Sequence, residues 1–218
     1  MVQVTDRKPV DARRSIPAMH GPGDVHFFDR VARLYDRFAP PTDPEPIWGG
    51  LARADRPVER VLDLAGGTGR AARAIAAPVG RVRSPETLVV DASRAMLDHA
   101  AGRGTPAVRG DAGRLPLRDE SVDAVVVLDA LHHLPEQDVA LAEAARVLRS
   151  GGVLVIREFD PRTLRGRALV AAERAVGFRS TFRGPDEWAA ALDDVGLSAS
   201  VLDRGFAFTV VGKKRESH

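Results

Sequence analysis

Three aspartates stand where hydrophobic runs stop: Asp63 in Val61-Leu62-Asp63-Leu64, Asp91 after Leu88-Val89-Val90, and Asp111 in Gly110-Asp111-Ala112. Asp63 leads into Ala65-Gly66-Gly67-Thr68-Gly69, a glycine-rich corner where backbone N–H groups and a ligand can approach closely. If the runs are parallel strands, all three carboxylates sit at strand carboxyl ends, where open α/β sheets bind ligands. Taken singly, each aspartate reads equally well as a helix cap or turn residue. Gly67-x-Gly69-x-x-Ala72, with Asp91 further on, also satisfies the relaxed dinucleotide fingerprint, so a nicotinamide cofactor and an oxidoreductase are the rival reading. Asp63 would repel a pyrophosphate at that loop but attract a cofactor with an ammonium group, a sulfonium and a ribose. S-adenosylmethionine has that character.

His132 and His133 follow the most hydrophobic run, residues 122–128, and would stand beside such a cofactor. An imidazole there could act as the base that deprotonates a phenol or another acceptor. A hydrogen-bonded core histidine or a helix start is the alternative. No third ligand lies at metal spacing from the pair, so no metal site is expected. With no cysteine in the chain, thiolate zinc sites, cysteine nucleophiles and disulfides are excluded.

The elements that would carry these residues alternate. Strand-like runs at 58–64, 87–90, 107–108, 122–128 and 153–156 are separated by helical stretches reaching about residue 77, following the N-cap candidate Ser93, and covering 139–148, the last closed by Ser150-Gly151-Gly152. Parallel strands need crossover connections, so this rhythm predicts helices on both faces of a parallel sheet. After helical segments at 164–176 and 185–195, two runs at 197–202 and 206–211 follow without a helix between them, which predicts an antiparallel terminal hairpin. The expected fold is α/β: a doubly wound, mostly parallel seven-stranded sheet. Residues 1–23 read as a flexible arm, 24–213 as one domain with N-terminal cap helices over 24–54, and 214–218 as a tail.

Composition narrows the partners. Hydrophobic residues at 44% and charged ones at 28% fit a globular chain. The 29 Arg and 3 Lys are interleaved with 30 acids for a net charge of +2, which gives no basic tract for a nucleic acid. No apolar stretch reaches the roughly 18 residues of a membrane span, and the polar start lacks a signal-like core, so a cytoplasmic location is expected.

The motifs together resemble the class I S-adenosylmethionine-dependent methyltransferases over about residues 24–213. Val61 through Gly69 resembles their first motif, and Ala65-Gly66-Gly67 is similar to the ubiquinone/menaquinone C-methyltransferase branch; the wider family more often has Gly where Ala65 stands. Val90-Asp91-Ala92-Ser93-x-x-Met96-Leu97 resembles the second-strand motif. Gly110-Asp111-Ala112-x-x-Leu115-Pro116, followed by Asp119-x-Ser121-Val122-Asp123, resembles the third, and Arg146-Val147-Leu148-Arg149-Ser150-Gly151-Gly152 the stretch before the fifth strand. The resemblance implies roles: Asp63, Ala65, Gly66, Gly67 and Gly69 on the methionine end, Asp91 on the ribose hydroxyls, Asp111 and Ala112 at the adenine, Ala92, Met96 and Leu128 among the cofactor-binding residues, and Tyr35 closing over the cofactor. Arg157-Glu158-Phe159-Asp160-Pro161 is similar to the quinone branch, whereas Leu131-His132-His133-Leu134 departs from its usual Asn-containing segment. Phe27, Phe28, Val31 and Phe38, with the segment 164–182, would form an apolar lid suited to a small ring such as a quinol precursor. A protein that binds the cofactor without turnover is a further alternative.

Overall fold

A computed structural model of the chain describes residues 28–29, 41–77 and 84–215. Its centre is a single sheet of β1 (Arg60–Leu64), β2 (Glu86–Asp91), β3 (Ala107–Arg109), β4 (Val122–Leu128), β5 (Leu148–Phe159), β6 (Leu197–Asp203) and β7 (Ala207–Lys214), in the order β3-β2-β1-β4-β5-β7-β6. The first five strands pair in parallel, and β7 runs antiparallel to both β5 and β6. The α/β class, mostly parallel sheet and antiparallel C-terminal pair agree with the sequence reading. Beyond it, β7 inserts between β5 and β6, leaving β6 at the edge.

Alternation along the strands sorts the core into two layers. Leu62, Leu64, Val125, Val127, Leu154 and Ile156 face one side, packed with residues of α4 (Gln137–Val147) and α6 (Pro185–Asp194) such as Leu141, Ala144, Trp188 and Leu192. Val61, Ala124, Val126, Val153 and Val155 face the other, against α1 (Glu45–Leu51) and α2 (Arg70–Ala76) through Ile47, Leu51 and Ile75. Helix α3 (Arg94–Ala101) adds Leu97 and Ala100 to a smaller cluster with Ala72 and Val89. Since β4 is buried along almost its whole length, it reads as a continuous apolar run. Helix α5 (Leu164–Ala175) buries only Gly166 and leaves Leu164 85% exposed. No described helix is long and apolar enough to cross a membrane.

One boundary differs from expectation. Ser150-Gly151-Gly152 lies inside β5, which begins at Leu148, directly after α4. Val122 pairs with Leu148, the register then shifts, and Ala124 pairs with Val153. Gly151 takes φ 74°, and a Cβ on Gly152 would sit 2.6 Å from the carbonyl oxygen of Asp123, so the glycines serve an irregular strand entry rather than a helix end. Of the predicted arm, N-terminal cap helices and tail, residues 1–27, 30–40 and 216–218 lie outside the described residues.

Asp123, 1% exposed, fastens the amino end of this sheet. Its Oδ2 accepts the N–H groups of Glu59 and Arg60 at 3.1 and 2.9 Å, and its Oδ1 accepts from Arg149 Nη1 at 3.0 Å with Arg56 Nε 2.9 Å away. Removing a buried carboxylate so connected leaves two backbone donors and Arg149 Nη1 without their acceptor and Arg56 without its ion-pair partner. Asp123→Ala should therefore destabilise the fold by about 3 kcal/mol, read as a lower urea midpoint at unchanged slope. A loss below about 1 kcal/mol would mean that Asp123 sits in a solvated surface pairing.

Candidate active site

The corner between β1 and α2 has the backbone that its composition suggests. Ala65, Gly67 and Gly69 all occupy left-handed conformations, at φ 52°, 55° and 78°. Ala65 takes this conformation with a Cβ in place, which accounts for the frequency of glycine there in the resembling family. A Cβ on Gly66 would collide with the Asp63 carboxylate. Asp91 fixes the loop from the next strand: Oδ2 accepts the N–H of Gly67 at 2.8 Å and Oδ1 that of Ser93 at 2.8 Å. Ser93 caps α3, its Oγ accepting the Met96 N–H at 3.2 Å, while its hydroxyl donates to Asp29 at 2.5 Å.

These groups open onto a cavity of about 950 Å³ when the open space at its mouth is included. Asp63, Ala65, Gly66, Gly67, Asp91, Ala92, Met96, Ala112 and Leu128 line it, joined by Phe28, Arg70, Ser93, Asp129 and His133. Gly69 is not on the wall; it is the left-handed N-cap of α2. Asp111 is turned away, its Oδ1 accepting the Gly113 N–H at 2.9 Å beside a smaller cleft. Tyr35, with Phe27, Val31 and Phe38, lies outside the described residues.

Electrostatics single out Asp63. It is fully buried, its Oδ2 accepts the Ala72 N–H at 3.0 Å, and its Oδ1 has no hydrogen-bond partner. Burial, against the Ala72 bond and with Asp91 adding repulsion, raises its pKa to about 7. The neighbouring Thr68 hydroxyl, 1% exposed, is also unpartnered. A cationic or hydroxyl-bearing ligand would satisfy both, and a phosphate would not.

At the far end of the cavity the histidines lie on a short 3₁₀ turn, Leu131–His133. Only His133 reaches the wall. His132 is 3% exposed, stacks on Phe182 at 4.4 Å, and stands between two carboxylates, Nδ1 at 2.7 Å from Glu158 Oε2 and Nε2 at 3.5 Å from Glu173 Oε1. Burial opposes its charge, but Glu158 and Glu173 outweigh that and hold its pKa at about 10. Burial, and then the adjoining His132, push His133 down to about 4. Glu158 also pins the turn, its Oε1 accepting the N–H groups of Ala130 and Leu131 at 3.0 and 2.7 Å. Asp129, left-handed at φ 51°, faces Arg70 at 3.3 Å and is raised to about 6 by burial and by Glu158.

Sequence reading missed Glu173 and Asp129. Glu173 comes from α5, at no recognisable spacing from the histidines. Asp129 ends β4 as the three aspartates end theirs, a signal that was available. The aromatic contacts of Phe28 with His133 at 5.0 Å and with Phe178 at 5.7 Å draw the N-terminal segment and the segment after α5 together over the histidines.

Residues 62–156 match the family described as "Methyltransferase domain". The demethylmenaquinone methyltransferase of Mycobacterium sp. (strain KMS) is 37% identical over 151 residues, covering 67% of this chain and 64% of that protein, so the chain spans less than two thirds of that curated relative's length. Among solved structures, an S-adenosylmethionine-dependent methyltransferase from Thermotoga maritima superposes with a TM-score of 0.72 at 22% identity, covering 88% of this chain and 100% of the other. The cyclase SpnF superposes with 0.65 at 18% identity over 88% and 95%. The chain thus matches a methyltransferase domain over residues 62–156, is similar in sequence to demethylmenaquinone methyltransferases, and shares the fold of an S-adenosylmethionine-dependent methyltransferase of known structure.

Proposed function

We propose that the protein is a cytoplasmic enzyme that transfers a methyl group from S-adenosylmethionine to a small, partly apolar, quinone-like acceptor. The observation that carries this is Asp63: a fully buried carboxylate with one oxygen unpartnered, beside a glycine loop, on the wall of the main cavity. Such a site favours an ammonium group and opposes the pyrophosphate of a dinucleotide. The demethylmenaquinone methyltransferases among the relatives support the acceptor class.

When bound, the cofactor supplies an electrophilic methyl group on a positively charged sulfur. Asp63 and residues 65–67 would hold its methionine end, Asp91 its ribose hydroxyls, and Ala112 the adenine side, with Met96 also on the cavity wall; Gly69 starts α2 and Asp111 shapes the turn next to Ala112. Transfer from a sulfonium needs alignment and exclusion of water more than acid–base chemistry. The rings of Phe28, Phe178 and Phe182 around the histidines supply an apolar wall for the acceptor. Methylation at ring carbon requires a deprotonated phenol; His133, neutral and on the cavity wall, would take that proton, and His132, held protonated between Glu158 and Glu173, stands behind it.

Calorimetry should find S-adenosylhomocysteine bound and NAD not, and Asp91→Ala should weaken the former at least tenfold because the Gly67 and Ser93 N–H groups lose their acceptor together. Binding of NAD alone would replace this reading with that of an oxidoreductase. Converting His132 and His133 together to alanine should lower turnover at least tenfold, about 1.4 kcal/mol of barrier, with S-adenosylhomocysteine affinity nearly unchanged. Unaltered turnover on demethylated quinols would remove the pair from the chemistry.

A further inference from the structure

We propose that His132, His133 and Glu173 form a binding site for one divalent transition-metal ion at the acceptor end of the cavity. The three residues each offer a ligand atom, and these atoms lie within 4.8 Å of one another. His132 Nε2 and Glu173 Oε1 are 3.5 Å apart, long for a hydrogen bond. That spacing is close to the edge, about 3.4 Å, of a tetrahedron with metal–ligand bonds of about 2.1 Å.

The surroundings are those of a metal-binding imidazole. The other ring nitrogen of His132, Nδ1, lies 2.7 Å from Glu158 Oε2, the carboxylate–histidine arrangement that orients a ring and strengthens its free nitrogen as a ligand. Glu158 is itself fixed by two backbone N–H groups, and the imidazole by stacking on Phe182. The Ser180 hydroxyl, 3.2 Å from His133 Nδ1, holds the second ring. Glu173 has a side chain only 13% exposed and its Oε2 has no hydrogen-bond partner.

Charge points the same way. Glu158 and Glu173 bring two negative charges to the cluster, and a proton on His132 returns one. A dication with both imidazoles neutral balances the two carboxylates completely. Two histidines and one carboxylate leave coordination positions open, as in catalytic zinc and non-haem iron sites. Because His133 belongs to the cavity wall, an acceptor hydroxyl is the ligand class within reach. The ion would polarise that hydroxyl and ease the loss of its proton to water, which gives the histidine pair its part in acceptor activation. This role rests on the methyltransferase reading, whereas the metal site itself does not.

The test is titration of chelator-treated protein at about pH 8 with Zn²⁺ by calorimetry and with Co²⁺ by visible absorption, alongside S-adenosylhomocysteine binding to the same preparation. One equivalent of each metal should bind. Glu173→Gln should weaken Zn²⁺ at least about 100-fold, and Glu158→Gln about 10- to 100-fold, without changing S-adenosylhomocysteine affinity. His99→Ala, in α3, should leave metal binding as it is. Glu173 lies on a helix with one buried residue, and Glu173→Asp, which withdraws the oxygens, gives the same readout if the glutamine variant misfolds. Equal Zn²⁺ affinity in the wild type and both Glu173 variants, or no binding by the wild type at about 100 µM, overturns the site. Metal binding without S-adenosylhomocysteine binding would instead leave the site standing and overturn the methyltransferase reading.

Discussion

Asp63 enters the core at the end of β1 with no contact to solvent, and the rest of the site is arranged around the difficulty of keeping it there. One oxygen is answered by the first turn of α2 through Ala72, and the other is left without a partner. Gly66 has to be glycine because the carboxylate fills the space a Cβ would take. The loop can pass so close only by using three left-handed residues, one of them Ala65. Asp91 then completes the frame from β2 by accepting the N–H of Gly67. A buried group that prefers its proton up to about pH 7 destabilises the folded chain at higher pH, since between about pH 4 and pH 7 the folded state holds a proton that the unfolded chain releases. A ligand cation offsets that penalty.

A second buried carboxylate, Glu158, organises the opposite end of the cavity. Placed on β5, it draws in the turn that follows β4 through Ala130, Leu131 and His132. That turn in turn receives the segment after α5, for the Thr181 N–H donates to the His132 carbonyl and Gln137 Nε2 to the Leu131 and Thr181 carbonyls. The histidine end of the cavity is thus built by long-range hydrogen bonds around one side chain, and the glycine-loop end by a local loop.

This difference explains what could be read from the sequence. The glycine corner, its flanking acids and the strand rhythm are local patterns, so the fold class and the aspartates beside the loop were legible before any coordinates. Insertion of β7 between β5 and β6 depends on nonlocal pairing, and the Ser150-Gly151-Gly152 sequence says "helix end" as readily as "irregular strand". Asp111 sits in a turn and Gly69 starts a helix, and turn residues and ligand contacts draw on the same residue types. Glu173 carried no signal at all: its relation to His132 exists only once α5 folds back over the 3₁₀ turn.

The fold alone does not specify the chemistry, since the cyclase SpnF shares it; the unpartnered, buried carboxylate of Asp63 on the cavity wall is what favours a cationic ligand. The most direct test is the proton balance of S-adenosylhomocysteine binding, measured by calorimetry in buffers of different ionisation enthalpy. Asp63 is largely protonated at about pH 6 before binding, so pairing with the ligand's ammonium group should release about one proton there and almost none at about pH 8. Asp63→Asn should abolish the release. Binding that takes up protons at about pH 6, or a release that persists in Asp63→Asn, would contradict the account.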